Sequence, residues 1–246
     1  MDRLVYVAMT GAKQAAQALS TVSHNLANVA TTGFRADLQA FSSRPVEGAG
    51  FQTRVNAVAE SQGWDARSGT LVATGRDLDV AIRGEGWLTV QLPEGGEAYT
   101  RAGDLRVTSS GALETRSGHI LVGDNGPVTL PEYQTVFIGG DGSITIVPDG
   151  QKADVTSLVN RLKLVNPPPD QLTKGADGLM RMIDGGTTQS DAAVGLASGH
   201  LESSNVNPAE ALVEMIQLSR QFELQVKAIG DAEKNEQAST ALLRMS

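Results

Sequence analysis

The sequence predicts an α+β fold: long N- and C-terminal helices pair in a coiled-coil-like core, and an antiparallel β domain is inserted between them. Near both ends, apolar residues recur three and four positions apart, which is typical of a helix that packs along one face. The middle of the chain carries short alternating runs of polar and apolar residues, separated by turns. Glycine accounts for 27 of the 246 residues, which exceeds the typical share of roughly 7% and indicates many turns.

The first predicted element is an N-terminal helix followed by a turn, over residues 1–35. Its apolar seam is unbroken and consists of Val5, Ala8, Ala12, Ala15, Leu19, Val22 and Leu26. The pattern stops at Asn28, and Thr31-Thr32-Gly33 follows as a turn signal. Because each buried CH₂ contributes only about 0.8 kcal/mol, a seam rich in alanine holds one partner weakly but lets several helices approach closely.

The next two predicted segments are a connector and a β domain. Residues 36–79 contain five glycines and are predicted to be an extended connector. Residues 80–195 are predicted to form a small antiparallel β domain, with hairpins at residues 88–101 and 136–147. The proline run at residues 167–169 ends the last candidate strand, since proline cannot donate a ladder hydrogen bond.

The last predicted segment, residues 196–246, contains the C-terminal helix. Asn207 is the candidate N-cap, and Pro208 suits the first helical position. The seam of this helix has one polar member and consists of Leu212, Met215, Ser219, Phe222, Val226 and Ile229.

Both seams are narrower than the apolar face of an ordinary globular helix. Isolated helices are marginal in water, because packing supplies most of their stability. We therefore expect the two helices to be weakly ordered in the isolated chain and to become ordered when several copies assemble. The alternative is that both helices pack on the β domain as an ordinary α+β core.

Composition excludes several functional classes. The 20 Lys+Arg and 28 Asp+Glu give a net charge of −8, which argues against a nucleic-acid-binding protein. The absence of cysteine excludes disulfides and Cys-ligated zinc. No run reaches the roughly 18–20 apolar residues of a membrane span. The first apolar run is broken by Gly11 and Lys13 before any signal-peptide cleavage site.

The residues that usually carry catalysis form no site in this sequence. His24, His119 and His200 have no metal-ligand spacing to an acidic neighbour. The sequence lacks a nucleophile elbow, a P-loop and a complete dinucleotide-binding motif. Asp77 and Asp79 would share one face of a strand, but nothing nearby completes an acid–base site. We therefore expect a protein that is not an enzyme and binds no cofactor or metal.

The eleven residues at the end of the first helix, residues 25–35, read Asn-Leu-Ala-Asn-Val-Ala-Thr-Thr-Gly-Phe-Arg. They fill every fixed place of the pattern A-N-x-x-T-x-G-F-K/R and so resemble the flagellar axial proteins, the family of rod, hook and hook-associated subunits. Other segments also resemble this family, namely residues 74–87, 98–103, 164–167, 177–179, 199–207, 215–216 and 220–223, although Ser219-Arg220 stands where many members have Gln-Arg. In this motif Asn28 can satisfy backbone groups, Gly33 can adopt the left-handed conformation, and Phe34 offers a ring for packing.

The resemblance implies a structural subunit of the rod, which transmits torque from the motor to the hook. Residues 1–4, 8–13 and 219–227 most resemble the proximal rod members, and the distal rod member of similar length is the alternative. Self-assembly would proceed through the terminal helices. The implied assembly interface contains the apolar members of both seams together with Asn28, Thr31, Gly33 and Phe34.

The resemblance also implies partners and a location. The partners are other copies of the chain, other proximal rod proteins, the distal rod protein and the flagellar type III export apparatus, with no nucleic acid and no membrane insertion. The location is the flagellar basal body, where the rod spans the periplasm, after export without a cleaved signal peptide. A hypothesis from a different class is an extracellular β-rich adhesive or binding protein with coiled-coil termini.

Overall fold

The computed structural model of this chain describes residues 2–45, 55–150 and 155–244. Two long helices, α1 (Asp2–Ala27) and α2 (Pro208–Arg244), flank a series of antiparallel strands, so the predicted α+β class is confirmed. The chain divides into two units, each built from separate segments. The helical unit comprises Met1–Asn28, Asp37–Trp64 and Val206–Ser246, and the β unit comprises Val29–Ala36 and Asp65–Asn205.

In the helical unit, α1 and α2 pack against each other. A buried apolar cluster joins the second half of α1 to the first turns of α2 and consists of Ala18, Val22, Ala211 and Leu218. Closer to the start of α1, Gly11 lies against the side chain of Gln225. Later residues of α1 thus contact earlier residues of α2, and earlier residues of α1 contact later residues of α2, so the two helices are antiparallel. The predicted long coiled coil remains a prediction.

The helical unit also contains a hairpin, which lies in the segment predicted to be an extended connector. Strand β1 (Asp37–Pro45) pairs antiparallel with strand β2 (Val55–Trp64). Alanine, serine and glycine occupy many of the strand positions where branched or aromatic residues would signal a strand, so the pattern is weak. The glycines at positions 48 and 50, which contributed to the connector prediction, lie outside the described residues.

The described residues of the β unit form sixteen short strands. In chain order they are β3 (Leu71–Ala73), β4 (Val80–Arg83), β5 (Trp87–Gln91), β6 (Glu97–Thr100), β7 (Leu105–Val107), β8 (Leu113–Thr115), β9 (Val122–Gly123), β10 (Gly126–Pro127), β11 (Tyr133–Ile138), β12 (Ser143–Pro148), β13 (Ser157–Arg161), β14 (Leu164–Val165), β15 (Leu172–Lys174), β16 (Met180–Met182), β17 (Gly195–Ser198) and β18 (His200–Glu202). A 3₁₀ turn, Pro169–Gln171, begins at the last residue of the proline run.

Two sheets of the β unit surround an aliphatic core. One has five strands in the order β14-β5-β6-β16-β15, and the other has three in the order β11-β12-β13. The hairpins predicted at residues 88–101 and 136–147 are confirmed as β5–β6 and β11–β12. The core between the strands includes Leu88, Val90, Leu113, Leu121 and Ile144, all essentially inaccessible to water.

The last strands of the β unit return to its first strands. Strand β17 pairs with β4, and β18 pairs with β3, so residues 195–202 lie beside residues 71–83. Within the segment predicted to contain the C-terminal helix, α2 begins only at Pro208. The Asn207 side-chain oxygen accepts hydrogen bonds from the N–H groups of Ala209 (3.1 Å) and Glu210 (3.4 Å), which confirms the predicted N-cap.

Candidate assembly surface and junction cluster

The predicted seam of α1 faces the interior of the helical unit. Ala8, Ala12, Ala15 and Val22 are buried, while Val5, Leu19 and Leu26 are half-buried. Leu19 and Leu26 pack against the cluster that α1 shares with α2. Strands β1 and β2 also lie against α1. In the single chain, this seam is therefore already in contact with other elements of the same unit.

The predicted seam of α2 is only partly packed. Two of its apolar members are half-buried, Met215 and Ile229, and three are exposed, Leu212 (49%), Phe222 and Val226 (48%). Ala211 and Leu218 are buried instead, each one position before a predicted seam residue. The face of α2 that packs on α1 is therefore rotated from the predicted seam.

The first turns of α2 carry an exposed apolar patch made of Leu212, Val213 and Ile216, which we call the α2 patch. Ile216 lies four positions after Leu212 and three after Val213, so the three side chains are neighbours on the helix surface. On α1, Tyr6 and Met9 are also exposed and lie three positions apart. Contiguous apolar surface that remains in water is a candidate interaction surface.

The end of α1 is fixed by hydrogen bonds to its own last turn and to strand β1. Asn28 donates from both its backbone N–H and its side-chain amide to the carbonyl of His24, as predicted for a residue that satisfies the helix end. The Asn25 side chain donates to the Asp37 carbonyl and accepts from the Asp37 N–H, each at 2.9 Å. His24 Nδ1 lies 2.9 Å from the Asp37 carboxylate.

The signature residues that follow α1 dock into the β unit. Gly33 has a φ of +66°, as predicted, and a Cβ at this position would lie 2.2 Å from the backbone carbon of Arg101. Phe34 is buried, and the Lys174 ammonium lies 4.0 Å from its ring centroid. Thr31 is exposed. In this chain Gly33 and Phe34 therefore make contacts within one subunit.

A buried charge cluster lies beside this segment. Arg35 Nη1 lies 2.7 Å from Glu202 Oε1, and both side chains are 1% exposed. Arg101 Nη1 donates to Glu202 Oε2 at 3.0 Å, and Arg101 Nη2 donates to the Gly84 carbonyl at 2.8 Å. The Gly69 N–H donates to Glu202 Oε1 at 2.8 Å. One carboxylate is thus shared by two guanidinium groups and a backbone amide.

The two guanidinium groups also contact the same indole ring. The Cζ atoms of Arg35 and Arg101 lie 5.8 and 5.3 Å from the Trp87 ring centroid, which is within cation–π range. Among the described residues, Arg35 Nε, Nη1 and Nη2 and Arg101 Nε make no contact with hydrogen-bond geometry, so Arg35 is stabilised by its ion pair with Glu202 and by the ring. Burial lowers the pKa of Arg101; Glu202 opposes this shift and Arg35 adds to it.

Asn205 joins the places where the chain enters and leaves the β unit. Its side-chain oxygen accepts from the Ala36 N–H at 2.8 Å. Its side-chain nitrogen donates to the carbonyls of Asp65 (3.1 Å) and Arg67 (2.9 Å). The Asp65 N–H in turn donates to the Ala36 carbonyl at 2.8 Å. We call Arg35, Arg101, Glu202 and Asn205 the junction cluster.

The structure offers no candidate metal centre or membrane span within the described part of the chain. No group of His and acidic residues there could hold a metal ion. Neither described helix is long and apolar enough to cross a bilayer.

In the sequence, the residues of the junction cluster stand out only as parts of longer motifs. Arg35, Arg101 and Glu202 are ordinary charged residues in the sequence, and no local spacing links them. Opposite charges far apart in a chain can be paired only once the fold brings them together. The one local signal near them was Gly33, which was predicted to adopt the left-handed conformation and in the structure also passes close to the Arg101 backbone.

Comparison with known proteins gives matches along most of the chain. The family models "Flagella basal body rod protein", "Flagellar hook protein FlgE/F/G D1 domain" and "Flagellar basal body rod FlgEFG protein C-terminal" match residues 5–35, 81–150 and 197–242. The chain is 39% identical to the flagellar basal-body rod protein FlgF of Salmonella typhimurium and 38% identical to that of Escherichia coli, over the full length of both chains in each case. It is 31% identical to the FlgG rod protein of Bacillus subtilis, over 93% of this chain and 94% of the relative.

Proposed function

The chain belongs to the flagellar basal-body rod protein family as a structural subunit of the rod, and we propose that it builds the proximal rod by packing its terminal helices against neighbouring subunits. The proximal position is supported by the identity to FlgF, which at 39% over full length exceeds the 31% to the Bacillus FlgG. The proposed role is mechanical and includes no catalysis.

The α2 patch and the exposed seam residues of α2 are the observation that carries this proposal. Leu212 and Val226 were predicted to face a partner, and α1 leaves both about half exposed. A neighbouring subunit that covers this face would remove apolar surface from water, at about 25 cal/mol for each Å² buried. We propose that neighbouring subunits bind this face, while the seam of α1 packs against α2 within the same subunit.

The contacts between subunits are proposed to be heterologous. In a helical tube, one surface of each subunit meets a different surface of the next, so that the array continues instead of closing. The exposed pair Tyr6 and Met9 on α1 is a second apolar surface that can serve in this way. The proposed partners are other copies, other proximal rod proteins and the distal rod protein.

We further propose that the subunit reaches the periplasm through the flagellar type III export apparatus, without cleavage of a signal peptide. The packed cluster of the helical unit joins α1 to α2, which are far apart in the chain, so it cannot form until both are present. Helices that lack a packed partner are marginal in water, which suits a chain that is threaded before it assembles.

Charge placed on the α2 seam tests this proposal. Leu212→Glu and Val226→Glu are compared with Leu224→Glu, which changes a more exposed residue of the same helix outside the seam. None of the three is buried in the monomer, so we expect unfolding midpoints near that of the wild type. An unpaired charge buried in an interface costs enough to lower incorporation roughly tenfold or more.

The readouts are subunit content in purified basal bodies and swimming, in bacteria whose own copy is replaced. We expect both seam variants to be excluded from rods and Leu224→Glu to be incorporated. Normal rods containing Leu212→Glu and Val226→Glu would refute the proposed interface.

A further inference from the structure

The points at which the chain passes in and out of the β unit are bound to one another. The chain leaves this unit after residues 36 and 205 and re-enters it at residue 65. The side chain of Asn205 bonds the backbone at Ala36 and Asp65, and the backbones of Ala36 and Asp65 bond each other. The charge cluster of Arg35 and Glu202 lies within a few residues of two of these points.

We propose that the junction cluster, Arg35, Arg101, Glu202 and Asn205, consists of positioning residues for rod assembly. The cluster holds the segments leading from α1 and into α2 at fixed, neighbouring points of the β unit. This rests on the proposed rod function, because a helical array repeats one contact many times. A subunit whose two helices leave from variable points cannot repeat that contact with each neighbour.

Guanidinium groups suit this purpose because their N–H donors lie in one plane at fixed angles, whereas apolar contacts have no preferred direction. Glu202 is held from three sides, by Arg35, by Arg101 and by the Gly69 N–H. Rotating or shifting any one of these segments breaks a contact that the low-dielectric interior makes expensive to lose.

Stability alone does not explain the cluster. Replacing a buried ion pair or triad with apolar residues of similar volume is often neutral or stabilising. In the cluster two guanidinium groups also share one carboxylate, away from water. A core selected only for stability would place aliphatic side chains here, as the rest of the β unit does.

The test removes all three charges in the full-length chain, with the variant Arg35→Met/Arg101→Met/Glu202→Leu. The matched control is Glu97→Leu/Lys163→Met, which removes an ion pair of 2.7 Å elsewhere in the β unit. Three quantities are measured: thermal unfolding of the purified protein, amide exchange at Gly33 and Ala36, and incorporation into basal bodies.

The two amides report on the junction directly. The Gly33 N–H donates to the Glu202 carbonyl, and the Ala36 N–H donates to the Asn205 side chain, both at 2.8 Å. In the charge-free variant we expect cooperative unfolding to persist, exchange at both amides to be at least about tenfold faster, and incorporation to fall about tenfold. The control keeps wild-type exchange at both amides and wild-type incorporation.

Wild-type exchange at Gly33 and Ala36 together with normal incorporation of the charge-free variant would overturn the proposal and leave the rod function intact. If that variant does not fold, Arg35→Lys is the variant that tests the proposal, because it keeps the positive charge but loses the planar guanidinium group. We expect Arg35→Lys to fold, with faster exchange at both amides and reduced incorporation; wild-type values of both would overturn the proposal. Failure of the wild-type chain to enter basal bodies would instead refute the proposed function.

Discussion

Substitution of Gly33 by alanine tests how tightly the signature segment is held in the β unit. The φ of +66° costs a non-glycine residue about 1–2 kcal/mol. The new Cβ would lie 2.2 Å from the Arg101 carbonyl carbon and 2.4 Å from its oxygen. Both are backbone atoms that no rotamer change can move, so relief requires the segment to shift, at about 1–3 kcal/mol. The free energy of unfolding of the β unit should fall by about 2–5 kcal/mol in total.

Gly185→Ala is the matched control for this prediction. Gly185 has a φ of +71°, and a Cβ there would have no atom within 4 Å, so only the backbone cost applies. We expect a loss of about 1–2 kcal/mol for this variant. Urea unfolding of full-length protein, followed by Trp fluorescence and far-UV circular dichroism, measures both. Equal losses for the two variants would show that the close approach to Arg101 does not constrain the segment.

Three further perturbations test other parts of the structure. Leu26→Asp should lower the stability of the helical unit by about 2–4 kcal/mol and abolish incorporation, because Leu26 packs in the α1–α2 cluster. Lys13→Glu changes an exposed position and should alter the free energy of unfolding by less than about 0.5 kcal/mol in the same urea unfolding measurement. Gly11→Ala should stabilise the helical unit by up to about 1 kcal/mol, since its Cβ meets only the movable end of the Gln225 side chain at 3.0 Å; destabilisation in urea would contradict this. Burial raises the pKa of Asp104, so its carboxyl binds a proton more tightly in the folded state than in the unfolded state. The contribution of Asp104 to stability therefore falls as pH rises from its pKa in the unfolded state to its pKa in the folded state. Asp104→Asn should therefore raise the urea midpoint at pH 7 but not at about pH 3, and an equal gain at both pH values would contradict the assignment.

The features predicted correctly from sequence are those set by neighbouring residues. Asn28 bonds a carbonyl of the last turn of α1, Gly33 adopts a positive φ, and Asn207 caps α2. Each of these features depends only on groups within a few positions of the residue concerned. Such signals survive in any tertiary context, since the groups they satisfy belong to the same helix end or turn.

The features that sequence analysis missed depend on which surfaces the fold brings together. The apolar spacing of α2 fits a stripe through Leu212 as well as one through Ala211, and only packing against α1 distinguishes them. The ion pair of Arg35 with Glu202 has no local signature, because its partners come from opposite ends of the β unit. Pattern and propensity describe one element at a time, whereas burial is decided between elements.

The span of the junction contacts along the chain determines how the β unit folds. The hydrogen bond between Ala36 and Asn205 joins residues that are 169 positions apart, and the bond between Gly69 and Glu202 joins residues 133 apart. Pairings of such high contact order form slowly, because the loop must close before the contact is made. The β unit therefore cannot complete these junction contacts until β18, the last of its described strands, is present.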